Sequence, residues 1–141
     1  MSYLLDTNVI SELRKLGDGK ANPGVVAWIA AHDDAQFFMS AISVLEIERG
    51  ILTLQRRDPA QAAKLRTWFD LHVRPAFEGR ILPVDDEVAT RCAQLHVPDR
   101  RGEADALIAA TALKHGFAVV TRNLRDFEGT GVVLIDPWQA I

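Results

Sequence analysis

Five short, nearly uninterrupted apolar runs constrain the fold of this chain more than any other feature: Tyr3–Leu5, Phe37–Met39, Ile81–Val84, Ala118–Thr121 and Val132–Ile135. They do not alternate between apolar and polar residues. Such runs read as strands covered on both faces, the pattern of a parallel sheet between helices. Stretches with helical spacing fill the intervals: Val9–Leu16 before Gly17, Gly24–His32 behind Pro23, Ile42–Gln55, Asp58–Phe77, Asp85–His96, and Glu103–His115 before Gly116. Asp58-Pro59 pairs an N-cap residue with proline at the first helical position, and glycine at 17 and 116 suits a helix C-terminus. A short turn at Asn123–Phe127 leads to the last strand. The alternation predicts an α/β fold, a three-layer α/β/α sandwich around a central, mostly parallel five-stranded sheet. Its 141 residues suit one domain spanning 1–141.

In such sheets, ligands bind beyond the carboxyl ends of the strands. Three polar clusters leave that edge: Asp6 after the first strand, Ser40–Glu46 after the second, and "TRNLRDF" (Thr121–Phe127) after the fourth. Composition narrows the chemistry available to them. The single cysteine, Cys92, excludes an internal disulfide and any Cys-x-x-Cys zinc pair; it reads as a plain buried thiol. His32, His72, His96 and His115 share no ligand spacing and read as surface or helix-end residues. No apolar run approaches the ~20 residues of a membrane span. The N-terminus lacks the basic-then-apolar layout of a signal peptide, so a cytoplasmic protein is expected. The net charge is −3, against a dedicated nucleic-acid binder with a broad basic footprint. Yet the positive charge is clustered, at Arg56-Arg57, Lys64 and Arg66, Arg100-Arg101, and Arg122 and Arg125. A basic rim around an acidic centre and an ordinary solvated surface both fit that balance.

Each acid has two readings. Asp6 fits a helix N-cap or a metal ligand at a strand tip. Ser43 and Glu46 have the spacing of a capping box. On the 42–55 helix, Val44, Leu45, Ile47, Ile51, Leu52 and Leu54 form the apolar arc. Glu46 points away from it, and Glu48 falls inside it, so by pattern Glu48 is the odder acid and calls for a cation near Arg49 or a second subunit. Asp105 stands at the head of a stripe formed by Ile108, Ala109 and Ala112. It fits a first-turn aspartate favoured by the helix dipole or a desolvated ligand. Asp126 fits a turn residue paired with Arg122 or Arg125. Asp85-Asp86-Glu87 reads as a solvated helix start. What the separate readings leave out is the conjunction: four carboxylates at one sheet edge raise one another's pKa unless a cation lies between them. Oxygen ligands without cysteine or histidine suit Mg²⁺ or Mn²⁺.

With these residues placed, the sequence resembles the PIN-domain family, specifically the VapC-type toxins of its FitB-like branch. The matching segments are "LLDTNVISEL" (Leu4–Leu13), "SAISVLEIERG" (Ser40–Gly50), "RILPVD" (Arg80–Asp85), "ADALIAATALKHG" (Ala104–Gly116), "VVTRNLRDF" (Val119–Phe127) and Pro137-Trp138. They cover essentially the whole chain in order. The resemblance implies the toxin of a type II toxin–antitoxin system: a Mg²⁺-dependent endoribonuclease, with Mn²⁺ as a substitute, that cuts structured RNA, often tRNA. It implies a homodimer neutralised by a VapB-type antitoxin in a heteromeric complex. By motif match, Asp6, Glu46, Asp105 and Asp126 are the catalytic acids, with Asp6, Asp105 and Glu46 holding metal. Asn8 and Asn123 support the site. The resemblance thus favours Glu46 over Glu48. Many PIN domains carry aspartate where this chain has Asn123, which leaves Asp126 or three carboxylates to complete the site.

Two other readings remain. A phosphatase with an aspartyl nucleophile begins in the same way but uses Asp-x-Asp, whereas Asn8 stands at the third position. A catalytically silent PIN-like binding scaffold is the alternative that Asn123 leaves open.

Overall fold

Tyr3–Leu5 form β1, the central strand, with every side chain buried. In the computed structural model, which describes residues 1–139, the strands are β1, β2 (Phe37–Ser40), β3 (Ile81–Leu82), β4 (Ala118–Val120) and β5 (Leu134–Ile135). The last two residues of the expected 1–141 domain lie outside the described residues. The sheet order is β3-β2-β1-β4-β5 and every pairing is parallel. Tyr3 stands opposite Phe37 and Ala118, and Leu4 opposite Phe38 and Val119.

Because strand side chains alternate, this register sorts the core into two layers. Tyr3, Leu5, Phe37, Met39 and Val120 face α1 (Thr7–Leu13), α3 (Ala41–Gln55) and Phe69, Val73 and Phe77. Leu4 and Val119 face the other way, onto Ile108, Ala109 and Ala112 of α7 (Glu103–His115) and onto Phe127. The opposite side of α7 carries Ala106 and Ala110, which meet Val88 and Cys92 of α6 (Asp86–Leu95). The alanine-rich composition of α7 follows, since it packs on both sides and small side chains let the neighbours approach. α2 (Pro23–Ala30) begins with an Asn22 cap, whose side chain accepts the N–H groups of Gly24 and Val25.

Several local expectations are corrected. The first helix starts at Thr7 and tightens into a 3₁₀ turn at Arg14–Asp18. The left-handed residue that ends it is therefore Gly19, φ 73°, and not Gly17. The expected 58–77 helix is α4 (Pro59–Trp68), a π turn (Phe69–Val73) and α5 (Arg74–Ala76). Pro75 explains the widening: it has no N–H to donate and its ring would strike the carbonyl four residues back. The Ser43–Glu46 capping box does not form. β2 runs through Ser40, and Ser40 itself caps α3 by accepting the Ile42 N–H at 3.0 Å. His32 stands at the end of α2, one of the two places expected for it, and its ring also packs against Tyr3 and Trp28, with centroids 4.9 and 4.3 Å apart. Asp85 caps α6 through the Val88 N–H and pairs with Lys114.

Glu48 finds its cations within the chain. Its Oε1 accepts from Arg66 and Arg74, each at 2.7 Å, and this joins α3 to α4 and α5. The two guanidinium groups lower its pKa to about 2. A depressed carboxylate pKa adds stability above the unfolded value near 4.5, lost as the pH falls toward 2. Glu48→Gln should therefore destabilise the protein by about 1 kcal/mol at pH 7. In melting curves followed by circular dichroism, the gap to wild type should close as the pH drops below about 4.

Candidate active site at the carboxyl edge of the sheet

The strand order reverses direction between β1 and β4, the switch point at which open parallel sheets take ligands in a crevice beyond the strand ends. Asp6 follows β1, and its N–H extends the ladder by one bond to the Val120 carbonyl, 2.9 Å. Thr121 follows β4 and is fully buried. The Asp6 side chain, 5% exposed, is held from three directions. Its Oδ1 accepts the Thr7 N–H at 2.8 Å. Its Oδ2 accepts the Thr121 hydroxyl at 2.8 Å and the Asn8 amide at 3.3 Å. An ordinary N-cap would take the second or third N–H of the helix; Asp6 takes the first with Oδ1, while Oδ2 holds the bonds from Thr121 and Asn8. Thr121 Oγ1 also accepts from Asn8 Nδ2 at 3.2 Å and from the Asn123 N–H at 3.0 Å. Asn8 Oδ1 accepts the Arg122 N–H at 3.3 Å.

Glu46 lies one turn into α3, half-buried, and is oriented by α1. Thr7 Oγ1 donates to its Oε1 at 2.6 Å and shares a 2.8 Å hydrogen bond with buried Ser43 Oγ. Asp105, half-buried in the first turn of α7, has no side-chain hydrogen bond among the described residues. Asp126 is exposed on the 3₁₀ turn Leu124–Phe127. Asn123 contributes its backbone N–H and no side-chain cap.

The four acids share one electrostatic field. Burial pushes the Asp105 carboxyl up to about 6, and the charges of Asp126, Asp6 and Glu46 push the same way. Burial raises Asp6 too; the Thr121 and Thr7 hydrogen bonds oppose this, while Glu46 and Asp126 add to it. Among the described residues, no ion pair compensates any of the four. Their oxygens are not drawn together. The one group of three potential ligand atoms within 4.8 Å of one another, among the described residues, is Cys92, His96 and Glu103 between α6 and α7. Mutual repulsion keeps uncompensated carboxylates apart.

The donor chemistry separates these two groups. His96 Nδ1 accepts the Arg101 N–H at 3.0 Å, so Nε2 carries the proton and donates to Glu103 at 2.9 Å. That leaves His96 no lone pair for a metal. Burial also raises the Cys92 thiol and keeps it protonated. The acidic crevice offers only oxygens, carries excess negative charge, and fits a hard divalent cation.

The structure therefore brings Asp6, Glu46, Asp105 and Asp126 within electrostatic reach of one another at one end of the sheet, with Asn8 and the backbone of Asn123 beside Asp6 and Thr121, and places Glu48 elsewhere. Sequence reasoning missed Thr7, Ser43 and Thr121 as supports. The available signal was a hydroxyl residue directly beyond a buried strand or within an apolar helix face. A carboxyl raised to about 6 favours folding only below its unfolded value near 4, and that contribution is lost as the pH climbs through 6. Asp105→Asn should thus melt higher than wild type at pH 8 without metal, with the difference vanishing near pH 4 in scanning calorimetry.

Comparisons with known proteins agree with this arrangement. The family model for the PIN domain matches residues 3–132. The chain is 39% identical to "VapC ribonuclease Y4jK" of Sinorhizobium fredii, covering 96% of this chain and 97% of the relative. It is 36% identical to "Toxin FitB" of Neisseria gonorrhoeae, covering 96% and 97%. The crystal structure of FitAcB from that organism superposes with a TM-score of 0.86 at 34% identity, covering 97% of this chain and 99% of that one. A structure of FitAB bound to a DNA fragment gives the same TM-score and identity, covering 97% and 96%. An all-parallel five-stranded sheet with acids at its switch point, matched over nearly its full length, makes this chain a member of the PIN-domain family, in the branch of the VapC and FitB toxins.

Proposed function

We propose that this chain is the toxin of a toxin–antitoxin pair: an endoribonuclease that works with Mg²⁺, for which Mn²⁺ substitutes, and cuts structured RNA such as tRNA in the cytoplasm. The observation that carries the reading is the crevice itself, where buried Asp6 and half-buried Asp105 face two further acids with no compensating cation among the described residues. The ribonuclease and toxin names of its relatives support it, as does the general use of a divalent metal by PIN nucleases. No helix among the described residues is long and apolar enough to cross a membrane.

Each residue has a task in this reading. Asp6, Asp105 and Glu46 hold the ion, which when bound makes a water more acidic and polarises a phosphate. Thr121 and Asn8 aim the Asp6 oxygens, and Thr7 with Ser43 aims Glu46. Asp126, the exposed acid at the mouth, orients the attacking water and takes its proton. Arg122, over the Trp138 ring at 5.4 Å, stands beside the crevice to meet a flanking phosphate. Exposed Leu45 and Leu52 on α3 and Leu71 on the π turn supply apolar area for a second copy and for a VapB-type antitoxin.

Total bacterial RNA incubated with the protein should be cleaved only with Mg²⁺, and excess EDTA should stop the reaction. Asp6→Asn should abolish cleavage while leaving the far-ultraviolet spectrum unchanged. Undiminished cleavage in EDTA, or by Asp6→Asn, would sink this reading. Thr121→Val should keep the fold but weaken Mn²⁺ binding by ten- to a hundredfold in titration calorimetry, as expected when a ligand loses its supporting hydrogen bond.

A further inference from the structure

Beside the acidic crevice lies a trough of about 320 Å³ between α1, α3 and α4. Two helical stripes form its walls. Thr7, Ser11 and Arg14 follow one another at i, i+4 and i+7, and Glu46, Gly50 and Arg57 run along the facing wall. Thr7 and Glu46 line the trough, and Glu46 is one of the four acids, so the trough reaches the acid cluster. The far end is basic. Arg14 lies about 10 Å along the axis from Thr7, and both Arg14 and Arg57 are exposed and in no ion pair among the described residues. Leu65 and Trp68 of α4 line the trough with apolar surface.

Gly50 is the telling residue. It stands in the middle of a 15-residue helix, where glycine costs about 1 kcal/mol relative to alanine. Packing does not explain it, because a Cβ at this position would meet nothing within 4 Å. Its lack of a side chain leaves the trough open.

We propose that the trough seats one unpaired nucleotide of the RNA next to the phosphate being cut, with its base against Trp68 and its flanking phosphates on Arg14 and Arg57. Gly50 is then a specificity-determining residue. The inference rests on the nuclease reading for the phosphate being cut. The arguments for RNA as the occupant are the unpaired cations at one end, the apolar wall, and continuity with the acids. Unpaired bases lying on aromatic side chains are a general means of recognising single-stranded RNA.

The test is binding of a fluorescein-labelled 12-nucleotide single strand, read by anisotropy with Mg²⁺ in the Asp6→Asn background so that no cleavage intervenes. Gly50→Leu should fill the trough and weaken binding at least tenfold while melting no lower than its parent. Arg14→Ala with Arg57→Ala should also weaken it at least tenfold and flatten the dependence of log K on log salt by about 1.4, the value for two phosphate contacts on a single strand. Arg91→Ala, on α6, should change neither. The same sequence as a duplex should bind at least tenfold more weakly. Unchanged single-strand binding in the Gly50 and Arg14/Arg57 variants overturns the proposal. Unchanged RNA binding with lost antitoxin binding also overturns it, assigning the trough to the protein partner. A wild-type protein that binds RNA through the trough yet cuts none would overturn the nuclease reading and leave this one standing.

Discussion

The carboxylate of Asp6 is buried where the sheet reverses its strand order, and the structure around it answers that burial. A desolvated charge costs several kcal/mol unless hydrogen bonds or an opposite charge compensate. Here the compensation is partial. Three donors reach Asp6, from Thr7, Asn8 and Thr121, and the field of Glu46 and Asp126 still pushes its pKa upward. The bond from Thr121 also ties the end of β1 to the end of β4, so the same contact that orients the carboxylate closes the central pair of strands. A divalent cation is the natural complement of what remains, because it offsets the repulsion that the hydrogen bonds leave in place.

Rigidity reaches the site from outside it. Glu48 draws Arg66 and Arg74 onto α3, which fixes α4 and α5 against the helix that carries Glu46. Thr7 then links α1 to α3 through Glu46 and Ser43. The two contacts define both walls of the trough and the position of one of its acids. Arg101 does similar work on the opposite side, donating to the carbonyls of Leu95 and Glu128, and so belongs to the scaffold and not to a basic rim. Arg57 and Arg122 of the same sequence clusters carry no ion pair among the described residues and remain available for phosphate.

Local pattern was a good guide where side chains act alone and a poor one where they act in pairs. All five strands were legible as apolar runs, with β3, β4 and β5 shorter than expected because their ends leave the ladder. Gly116 ended its helix as expected, φ 71°, whereas Gly17 yielded to Gly19 once the helix tightened. Glu48 looked anomalous because an arc drawn on an isolated helix contains no partner helices. The arginines that satisfy it lie 18 and 26 residues away. The capping box at Ser43 failed for the reverse reason: β2 ran one residue further and gave the cap to Ser40, freeing Ser43 to meet Thr7.

By itself the sequence determined the strand–helix alternation, the parallel sheet that it demands, and the placement of Asp6, Glu46 and Asp126 just beyond strand ends, since these follow from periodicity and chain order. Only the tertiary structure decided which groups hold the acids. Thr121 reaches Asp6 across 115 residues, and Thr7 reaches Glu46 across 39. Those contacts depend on strand order and helix packing, which are properties of the assembled core. The same is true of the raised carboxyl of Asp105: its charge is ordinary in an isolated helix and becomes costly only when α7 is pressed against the sheet and three other acids arrive beside it.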